Sequence, residues 1–208
     1  MLKKLRKKLK LRLSFAKRGL IKPSLPQNSD GKVLVHIGCG KRYSPEFINV
    51  DARPFAHVHI VTDHIASLPD FADGTVDMVY MCHILEHIKT SDLRDVLSEM
   101  KRILKAGGVL RLSVPDFDRL IAIYNDSGKD LNAISRQLMG GQDDKYNIHY
   151  SVFNQQYLSN LLTEVGFSKV VPWDPGHCLY HNFQDKASRK REINGKEYLI
   201  SLNLEAIK

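Results

Sequence analysis

Five short segments in the first half of the chain are almost continuously apolar and rich in β-branched residues. This pattern predicts parallel strands that are buried on both faces. The segments span residues 32–38, 47–51, 57–63, 76–81 and 109–116. Near the carboxyl end, two more strands are predicted at 168–174 and 197–207, and Asn194-Gly195 predicts a hairpin turn.

Helical periodicity alternates with these strands. Apolar residues recur every three or four positions from Leu93 to Leu104, with Ser91 as the expected N-cap and the two glycines at 107–108 as the expected end. A second helix is predicted over 154–167, where a glycine near the end again predicts a C-cap. The alternation indicates an α/β fold with a doubly wound, mostly parallel sheet.

The first 22 residues form a basic arm. Ten of them are Lys or Arg and none is acidic. Apolar residues recur at spacings of three and four, which on a helix gives one apolar stripe between basic faces. The stripe consists of Leu2, Leu5, Leu9, Leu13, Ala16 and Leu20. Residues 23–31, with two prolines and an Asn-Ser-Asp-Gly run, predict a linker to a single domain at 32–208.

The arm has three alternative roles. An amphipathic basic helix can lie on an anionic membrane surface. It can also dock on its own domain or on a partner, as a solvated basic helix. The third alternative is a targeting presequence, because the arm is amphipathic and free of acids.

The charge of the whole chain is concentrated in this arm. The formal net charge is +8, but outside the arm 21 basic residues, which is 31 less the arm's ten, accompany 23 acidic residues. A near-neutral domain argues against nucleic acid as a partner, and RNA binding by the arm is the weaker alternative.

The three cysteines are odd in number and far apart, which argues for a reducing compartment and against disulfides. No apolar run approaches the roughly 20 residues of a membrane span. We therefore expect a cytoplasmic protein, either free or peripheral on the cytoplasmic face of a membrane. Its oligomeric state stays open.

Glycine and polar residues follow the predicted strands. In parallel sheets, ligands bind at the carboxyl ends of the strands. Glycines let the backbone approach a ligand closely, and Asp51 is placed to accept hydrogen bonds from two ribose hydroxyls. The positions at this edge are Gly38, Cys39, Gly40, Asp51, Asp63, Cys82, His83 and Asp116.

The spacing of these residues narrows the ligand class. Gly38 and Gly40 are followed by no third glycine, and Asp51 comes only 13 positions after Gly38, rather than the roughly 20 of a dinucleotide site. The chain also lacks a G-x-x-x-x-G-K-[ST] phosphate loop. A ribose contact without a phosphate-binding loop argues against NAD and ATP. It favours S-adenosylmethionine (SAM), which contains adenosine but no phosphate.

The segment after the fourth strand contains His83-Ile-Leu-Glu86-His87, the H-x-x-E-H order of one class of zinc peptidase. Zinc binding by this motif needs both histidines on one turn of a continuous helix. Here His83 directly follows a strand, the next helix begins near Ser91, and no third ligand stands at a telling spacing. We therefore expect no metal ion and interpret the pattern as coincidental.

Several stretches resemble successive motifs of class I SAM-dependent methyltransferases, in particular the compact bacterial branch that acts on small molecules. They are VLVHIGCG with INVD, TDHIASLPDFADGTVDMVYMCHILEHI, VLSEMKRILKAGGVLRLSVPDF and EVGF. The resemblance covers residues 32–208 and implies SAM as cofactor and a seven-stranded sheet of order 3-2-1-4-5-7-6 with the last strand antiparallel. Two positions depart from it: His36 stands where many members carry an acid, and Ala106 replaces a turn proline.

The resemblance also implies a set of cofactor contacts. The glycine bend Gly38-Cys39-Gly40 would pass under the methionine part of SAM, and Asp51 would hold its ribose. The other implied contacts are Asp63, His64 and Ile65 beside the adenine, and Cys82 and His83 after the fourth strand.

Residues 117–153 are the least standard part of the domain and predict a substrate lid. Their loop GGQDDKYNIHY, residues 140–150, is the part we call the lid loop. His149 is the first candidate for a general base that activates an acceptor hydroxyl, with Asp116 and Tyr150 as alternatives. The competing role for His149 is to pin the lid by hydrogen bonds.

Taken with the resemblance, these features predict a methyltransferase that acts on a small-molecule or glycan-type acceptor, at a membrane surface if the arm binds there. The alternative is a non-catalytic protein of the same fold that binds SAM or a partner and is tethered by its arm.

Overall fold

The computed structural model describes residues 2–26, 28 and 30–208, without the side chains of residues 2–5, 7 and 8. Its strands are β1 (Leu34–Ile37), β2 (Ile48–Asp51), β3 (Ile60–Val61), β4 (Val76–Cys82), β5 (Leu104–Pro115), β6 (Lys169–Pro172), β7 (Lys190–Ile193), β8 (Lys196–Leu199) and β9 (Ser201–Ile207). Its helices are α1 (Leu2–Leu20), α2 (Leu93–Ile103), α3 (Phe117–Asp126), α4 (Ser135–Met139) and α5 (Gln155–Val165). Within the described residues, no helix is both long and apolar enough to cross a membrane.

Seven strands form one sheet in the order β3-β2-β1-β4-β5-β9-β6. β9 runs antiparallel to both of its neighbours, and the remaining pairs are parallel. The predicted fold class and strand order are therefore confirmed, with β9 as the antiparallel seventh strand. β7 and β8 form a separate hairpin that turns at Asn194-Gly195, where the sequence predicts the turn.

The bounds of α2 differ from the prediction at both ends. Its N-cap is Asp92, so the prediction of Ser91 as N-cap is wrong. Ser91 instead donates a hydrogen bond to the Asp92 carboxylate. The helix ends at Ile103, before the two glycines, because Leu104 already pairs with Val76 at the start of β5.

α5 has the caps that its sequence predicts. The Asn154 side chain accepts the N–H of Tyr157, and Gly166 ends the helix in the left-handed conformation, with φ of 96°. The predicted strand at 57–63 is much shorter, since β3 contains only two residues. It lies at the edge of the sheet and pairs with β2 alone.

The two faces of the sheet are covered in different ways. On one face, alternate residues of β1, β4, β5 and β9 pack against α2 and α5 in the main core. On the other, Leu34, Met78 and Tyr80 pack against Phe47 and Trp173. The chain that covers this second face, residues 173–189, contains no helix or strand.

Helices are also absent from the β1–β2 and β2–β3 connections. α1 covers this part of the domain. Leu11 and Phe15 of α1 pack against the buried side chains of Phe55 and Val58, and the rings of Phe15 and Phe55 lie 5.3 Å apart. The arm thus packs on the connection between β2 and β3.

Hydrogen bonds fasten the same face of α1. The Arg18 guanidinium donates to the backbone carbonyls of Val58 and His59. Residues 11–18 therefore dock on the chain's own domain, which is the second of the three alternatives for the arm. The side chains of Leu2 and Leu5 lie outside those described, and the remaining residues of the predicted apolar stripe face away from the domain. Their exposed fractions are 58% at Leu9, 61% at Leu13 and 86% at Leu20.

Candidate functional site

The glycine bend after β1 is fastened to the end of β2 by Asp51. One oxygen of this carboxylate, Oδ2, accepts the N–H of Gly40 at 2.7 Å, and Oδ1 accepts the N–H of Arg53 at 2.8 Å. Only 6% of Asp51 is exposed. The side chain therefore points at the bend and joins the carboxyl ends of β1 and β2. We call this edge of the sheet, formed by Gly38–Gly40 and Asp51, the rim.

The conformation of the bend requires its glycines. Gly38 and Gly40 have φ of 69° and 57°, in the left-handed region that other residues rarely adopt. A Cβ atom on Gly38 would lie 1.9 Å from Cδ1 of Ile84, so the segment after β4 packs directly on the bend. A Cβ atom on Gly40 would meet nothing closer than 4.0 Å, so the space in front of Gly40 is open.

This rim fits the adenosyl cofactor that the sequence predicts. Ribose hydroxyls need hydrogen-bond acceptors, and each Asp51 oxygen has one N–H partner and a second lone pair available. The open side of Gly40 lets a ligand approach the backbone, with the carboxylate beside it. Neither of these contacts involves a phosphate group of the ligand.

The residues expected beside the adenine follow β3. Asp63 and His64 lie at the surface and face each other at 3.5 Å, with side-chain exposures of 48% and 89%. Ile65 is partly buried and packs against the main core. These three residues follow β3, which pairs with β2.

Two thiols near the rim stay protonated, that of the buried Cys39 and that of the partly buried Cys82. Burial raises the pKa of Cys82 to about 12, and it raises the pKa of Cys39 as well. Neither group is therefore available as a thiolate nucleophile at neutral pH. They contribute packing instead.

The side chain of His83 turns away from the glycine bend. Its φ is 55°, and its Nε2 lies 2.8 Å from Oγ of Ser201 in β9. Ser201 donates its own proton to the carbonyl of Lys186, so Nε2 of His83 is the donor in this pair. It is Ile84, the next residue, that contacts the bend.

His36, where the resemblance led us to expect an acid, is buried on one face of the sheet with only 2% exposed. Its ring stacks on Phe183 and packs against Tyr80, and its Nδ1 lies 3.2 Å from Oγ of Ser44. Burial lowers the pKa of His36 to about 3, so the ring is neutral. An aromatic cluster therefore surrounds this histidine.

The lid loop spans the rim between two contacts. At one end, Asp144 lies 3.7 Å from the Arg53 guanidinium, next to Asp51. At the other, the N–H of Tyr150 donates to the carbonyl of Glu86 at 2.8 Å. The loop thus connects the end of β2 with the segment after β4.

His149 lies at the second of these contacts. Its Nδ1 is 2.9 Å from the carbonyl of Gln137, and its Nε2 is 4.0 Å from Oε1 of Glu86. Burial lowers the pKa of His149, while the Glu86 carboxylate opposes this effect. These contacts resemble those of a lid-pinning histidine. They also bring His149 beside His87, with ring centroids 4.7 Å apart.

The other two candidates for acceptor activation lie near a cleft of about 400 Å³. Tyr150 lines the cleft and is 50% exposed. Asp116 is buried, caps α3 by accepting the N–H of Asp118, and pairs with Arg119 at 2.9 Å. Burial raises the pKa of Asp116, and the neighbouring Arg119 opposes that rise.

A larger cavity of about 700 Å³ lies elsewhere, at the amino ends of β4 and β5. It is lined by residues such as Asp77, Lys105 and Trp173, none of which belongs to the rim. Ligands of parallel sheets bind at the carboxyl ends, so we place the functional site at the rim.

Two further histidines lie outside the site. His181 is buried against Tyr80 and Asp185, and His177 is 82% exposed and pairs with Asp174. Neither approaches the rim.

Sequence reasoning missed three residues of this site. Arg53 and Ile84 carry no recognisable signal, because each is a single residue in a connecting segment. Glu86 belongs to the H-x-x-E-H pattern, which the sequence analysis interprets as coincidental. Only the fold brings it to the lid loop.

A family model described as a methyltransferase domain matches residues 35–112, which include the glycine bend, Asp51 and the segment after β4. Among curated protein sequences, none matches this chain.

Solved structures share the fold. A SAM-dependent methyltransferase from Archaeoglobus fulgidus is 18% identical, with a TM-score of 0.51 over 85% of this chain and 86% of that one. A SAM-dependent methyltransferase from Thermotoga maritima, described as a possible histamine N-methyltransferase, is 18% identical, with a TM-score of 0.52 over 99% and 95%. The 1,6-didemethyltoxoflavin-N1-methyltransferase of Burkholderia thailandensis is 15% identical, with a TM-score of 0.50 over 96% and 76%.

At these identities the structural likeness concerns the fold, while the family match concerns the sequence of the cofactor half. The two agree with each other and with the geometry of the rim. Residues 35–112 therefore match a methyltransferase domain, and the chain has the fold of class I, Rossmann-like SAM-dependent methyltransferases. Both findings support S-adenosylmethionine as its cofactor.

Proposed function

We propose that this methyltransferase modifies a small-molecule or glycan-type acceptor that binds beside the lid loop, and that it works at an anionic membrane surface. Bound SAM supplies a methyl group on a sulfonium, which an acceptor oxygen or nitrogen attacks in line. The chain's own residues hold the two reactants in that geometry.

The position of Asp51 is the main support for the proposed cofactor contacts. Its buried carboxylate is fixed by the N–H groups of Gly40 and Arg53, so it is already oriented toward the open side of the bend. In this proposal Asp51 accepts the ribose hydroxyls and the bend lies under the methionine part. The remaining proposed contacts are Cys39, Asp63, His64, Ile65, Cys82 and the backbone of His83, whose side chain pairs with Ser201.

The cleft beside the lid loop supports the acceptor class. Phe117, Tyr150 and Tyr157 contribute aromatic rings to it, and the two tyrosines are 50% and 41% exposed. Aromatic faces suit sugar rings and flat small molecules, and the hydroxyls of tyrosine add directional hydrogen bonds. Tyr150 is the acceptor-facing group in this proposal. Asp116 orders the start of α3 beside it.

The arm supports the membrane location. Its docked face leaves Leu9, Leu13 and Leu20 exposed, next to lysines and arginines that attract anionic headgroups. The docked face contacts Phe55 and Val58, which follow Asp51 closely in the chain. A membrane under α1 would therefore lie close to the cofactor rim.

The cofactor contacts are tested by titrating SAM into the full-length protein in a calorimeter. Asp51→Asn keeps the shape of the side chain but removes its charge, so we expect SAM affinity to fall at least about tenfold. Asp174→Asn is the matched control, because this aspartate is exposed and remote from the rim. Equal SAM affinity in Asp51→Asn and wild type would contradict the proposed ribose contact.

The acceptor class is tested by incubating the protein with methyl-labelled SAM and either purified glycans or low-molecular-weight extracts. We expect label in one of these fractions, and less of it with Tyr150→Ala. Label that appears only in protein or nucleic acid would contradict the proposed acceptor class. Tight SAM binding without any transfer would favour the non-catalytic alternative.

A further inference from the structure

Glu86 is a buried carboxylate with no hydrogen-bond partner among the described residues. It is 1% exposed, and neither Oε1 nor Oε2 accepts a hydrogen bond. Nδ1 of His83 lies 3.0 Å from Oε1, but the pair is not aligned as a hydrogen bond. A buried carboxylate is normally paired, hydrogen-bonded or bound to a metal ion, so this group needs an explanation.

Two imidazoles beside this carboxylate are oriented like metal ligands. Nδ1 of His87 lies 2.9 Å from the carbonyl of Ile148, and Nδ1 of His149 lies 2.9 Å from the carbonyl of Gln137. A backbone carbonyl can only accept, so Nδ1 carries the proton in both rings. The lone pair is then on Nε2, and this arrangement of a ring N–H on a carbonyl is the one that orients metal-binding histidines.

The three side chains converge on one point. One ligand atom from each of Glu86, His87 and His149 lies within 4.8 Å of the other two. Nε2 of His149 is 4.0 Å from Oε1 of Glu86. Ligand atoms on a tetrahedral zinc ion are about 3.3 Å apart, so binding would draw the lid loop inward by roughly 1 Å.

We propose that Glu86, His87 and His149 bind one divalent transition-metal ion, of the kind of Zn²⁺ or Mn²⁺. Two imidazoles and one carboxylate are a ligand set that suits such ions. Glu86 and His87 belong to the segment after β4, and His149 belongs to the lid loop. The ion therefore fastens the lid loop over the rim.

This site differs from the zinc-peptidase interpretation of H-x-x-E-H. His83 takes no part, because its Nε2 donates to Ser201. The third ligand, His149, comes from the lid loop, 62 positions after His87, which is why no spacing in the sequence predicts it. The proposal replaces the expectation that the chain binds no metal ion.

Direct binding is the first test. Untagged full-length protein is stripped with a chelator and titrated with Zn²⁺ and with Mn²⁺ in a calorimeter. We expect one equivalent of at least one ion to bind, and Glu86→Gln and His149→Gln to lose at least about tenfold in affinity. His177→Gln is the matched control, because this histidine is 82% exposed and lies outside the cluster.

Stability separates the ligand role from a purely structural role. Glu86→Gln keeps the shape of the side chain but removes the charge that lies 3.0 Å from Nδ1 of His83, so the metal-free variant should unfold at or below the temperature of metal-free wild type. The ion should raise the unfolding temperature of wild type but not that of the variant. Cleavage by trypsin after Lys145, in the lid loop, should also slow when the ion binds to wild type.

Two results would overturn the proposal. One is the absence of saturable binding of either ion to wild type up to ~1 mM, which corresponds to negligible affinity. The other is equal affinity in wild type, Glu86→Gln and His149→Gln. If a variant fails to fold, the titration and the trypsin cleavage of wild type still decide. SAM binding is measured separately, so failure here leaves the proposed function untouched.

Discussion

At the scale of single residues, His36 of β1 is a buried histidine with only 2% of its surface exposed. The ring is buried among Phe47, Tyr80 and Phe183, and burial lowers its pKa from 6.5 to about 3. The folded protein therefore binds this proton less readily than the unfolded chain does. The stability that depends on neutral His36 is complete above pH 6.5, and it is lost progressively as the pH falls from there toward 3.

This shift predicts an acid-sensitive fold. Between pH 7 and pH 5, His36 alone should lower the free energy of unfolding by about 2 kcal/mol. Urea denaturation at both pH values measures this change. Glu86, whose lowered pKa of about 2 also favours acid unfolding, contributes only below its ordinary range near 4.5.

His36→Gln provides the control, because glutamine fills a similar volume and does not titrate. The variant should be less stable at pH 7 but should lose much less stability between pH 7 and pH 5. An unchanged loss in the variant would assign the acid sensitivity to another group.

At the scale of elements, the site depends on a contact between two connections. The bend after β1 and the segment after β4 meet where Ile84 packs on Gly38. The parallel pairing of β1 with β4 fixes their relative height, so the carboxyl ends of both strands reach the same rim. Asp51 then joins the third strand end, that of β2.

A methyl group at Gly38 tests this contact. Gly38→Ala combines a positive φ with a clash against Ile84, so we expect a loss of about 2–4 kcal/mol in the free energy of unfolding. Gly107→Ala is the matched control. Gly107 has φ of 73°, and an added Cβ would meet nothing within 4 Å.

The control should lose only the cost of the backbone strain, about 1 kcal/mol, and should bind SAM like wild type. Denaturant unfolding and SAM titration measure both effects. Equal losses in the two alanine variants would mean that Ile84 yields easily and that the contact is unimportant.

At the scale of the whole molecule, α1 both completes the domain and presents a surface. It packs through Leu11 and Phe15 on the part of the domain that lacks crossover helices. Its opposite side carries the exposed stripe of Leu9, Leu13 and Leu20. The helix thus has two sets of apolar side chains, one packed on the domain and one exposed to the exterior.

The proposed membrane location predicts that the protein co-sediments with vesicles that contain anionic lipids. Binding should weaken with rising salt and be slight on neutral vesicles, because headgroup attraction is electrostatic. The double variant Leu9→Glu/Leu13→Glu should reduce binding at least about tenfold, since it removes apolar area and adds repulsion.

Leu179→Glu is the control for adding a charge at an exposed leucine away from the arm, where the side chain is 75% exposed. It should bind vesicles like wild type. Equal binding of the control and the double variant, or equal binding to neutral and anionic vesicles, would contradict the membrane location.

The sequence by itself predicted the main strands and the cofactor class, whereas the order of the strands was implied by the resemblance to class I SAM-dependent methyltransferases. Continuous apolar runs identify buried strands, the glycine bend follows one of them and Asp51 ends another, so local patterns were enough for these features. The same patterns misplaced the ends of α2, because the pairing of Leu104 with Val76, a contact between distant residues, decides where that helix stops.

Only the tertiary structure decided which distant residues meet. Ile84 packs on Gly38, which is 46 positions away, and Arg53 pairs with Asp144, which is 91 positions away. Glu86 and His87 lie beside His149, which follows His87 by 62 positions. No periodicity in a sequence encodes such pairs, because they follow from the path of the chain over the sheet. For the same reason, the sequence did not predict which face of α1 docks. Leu11 and Phe15 pack on Phe55 and Val58, whereas Leu9, Leu13 and Leu20 of the predicted apolar stripe are exposed.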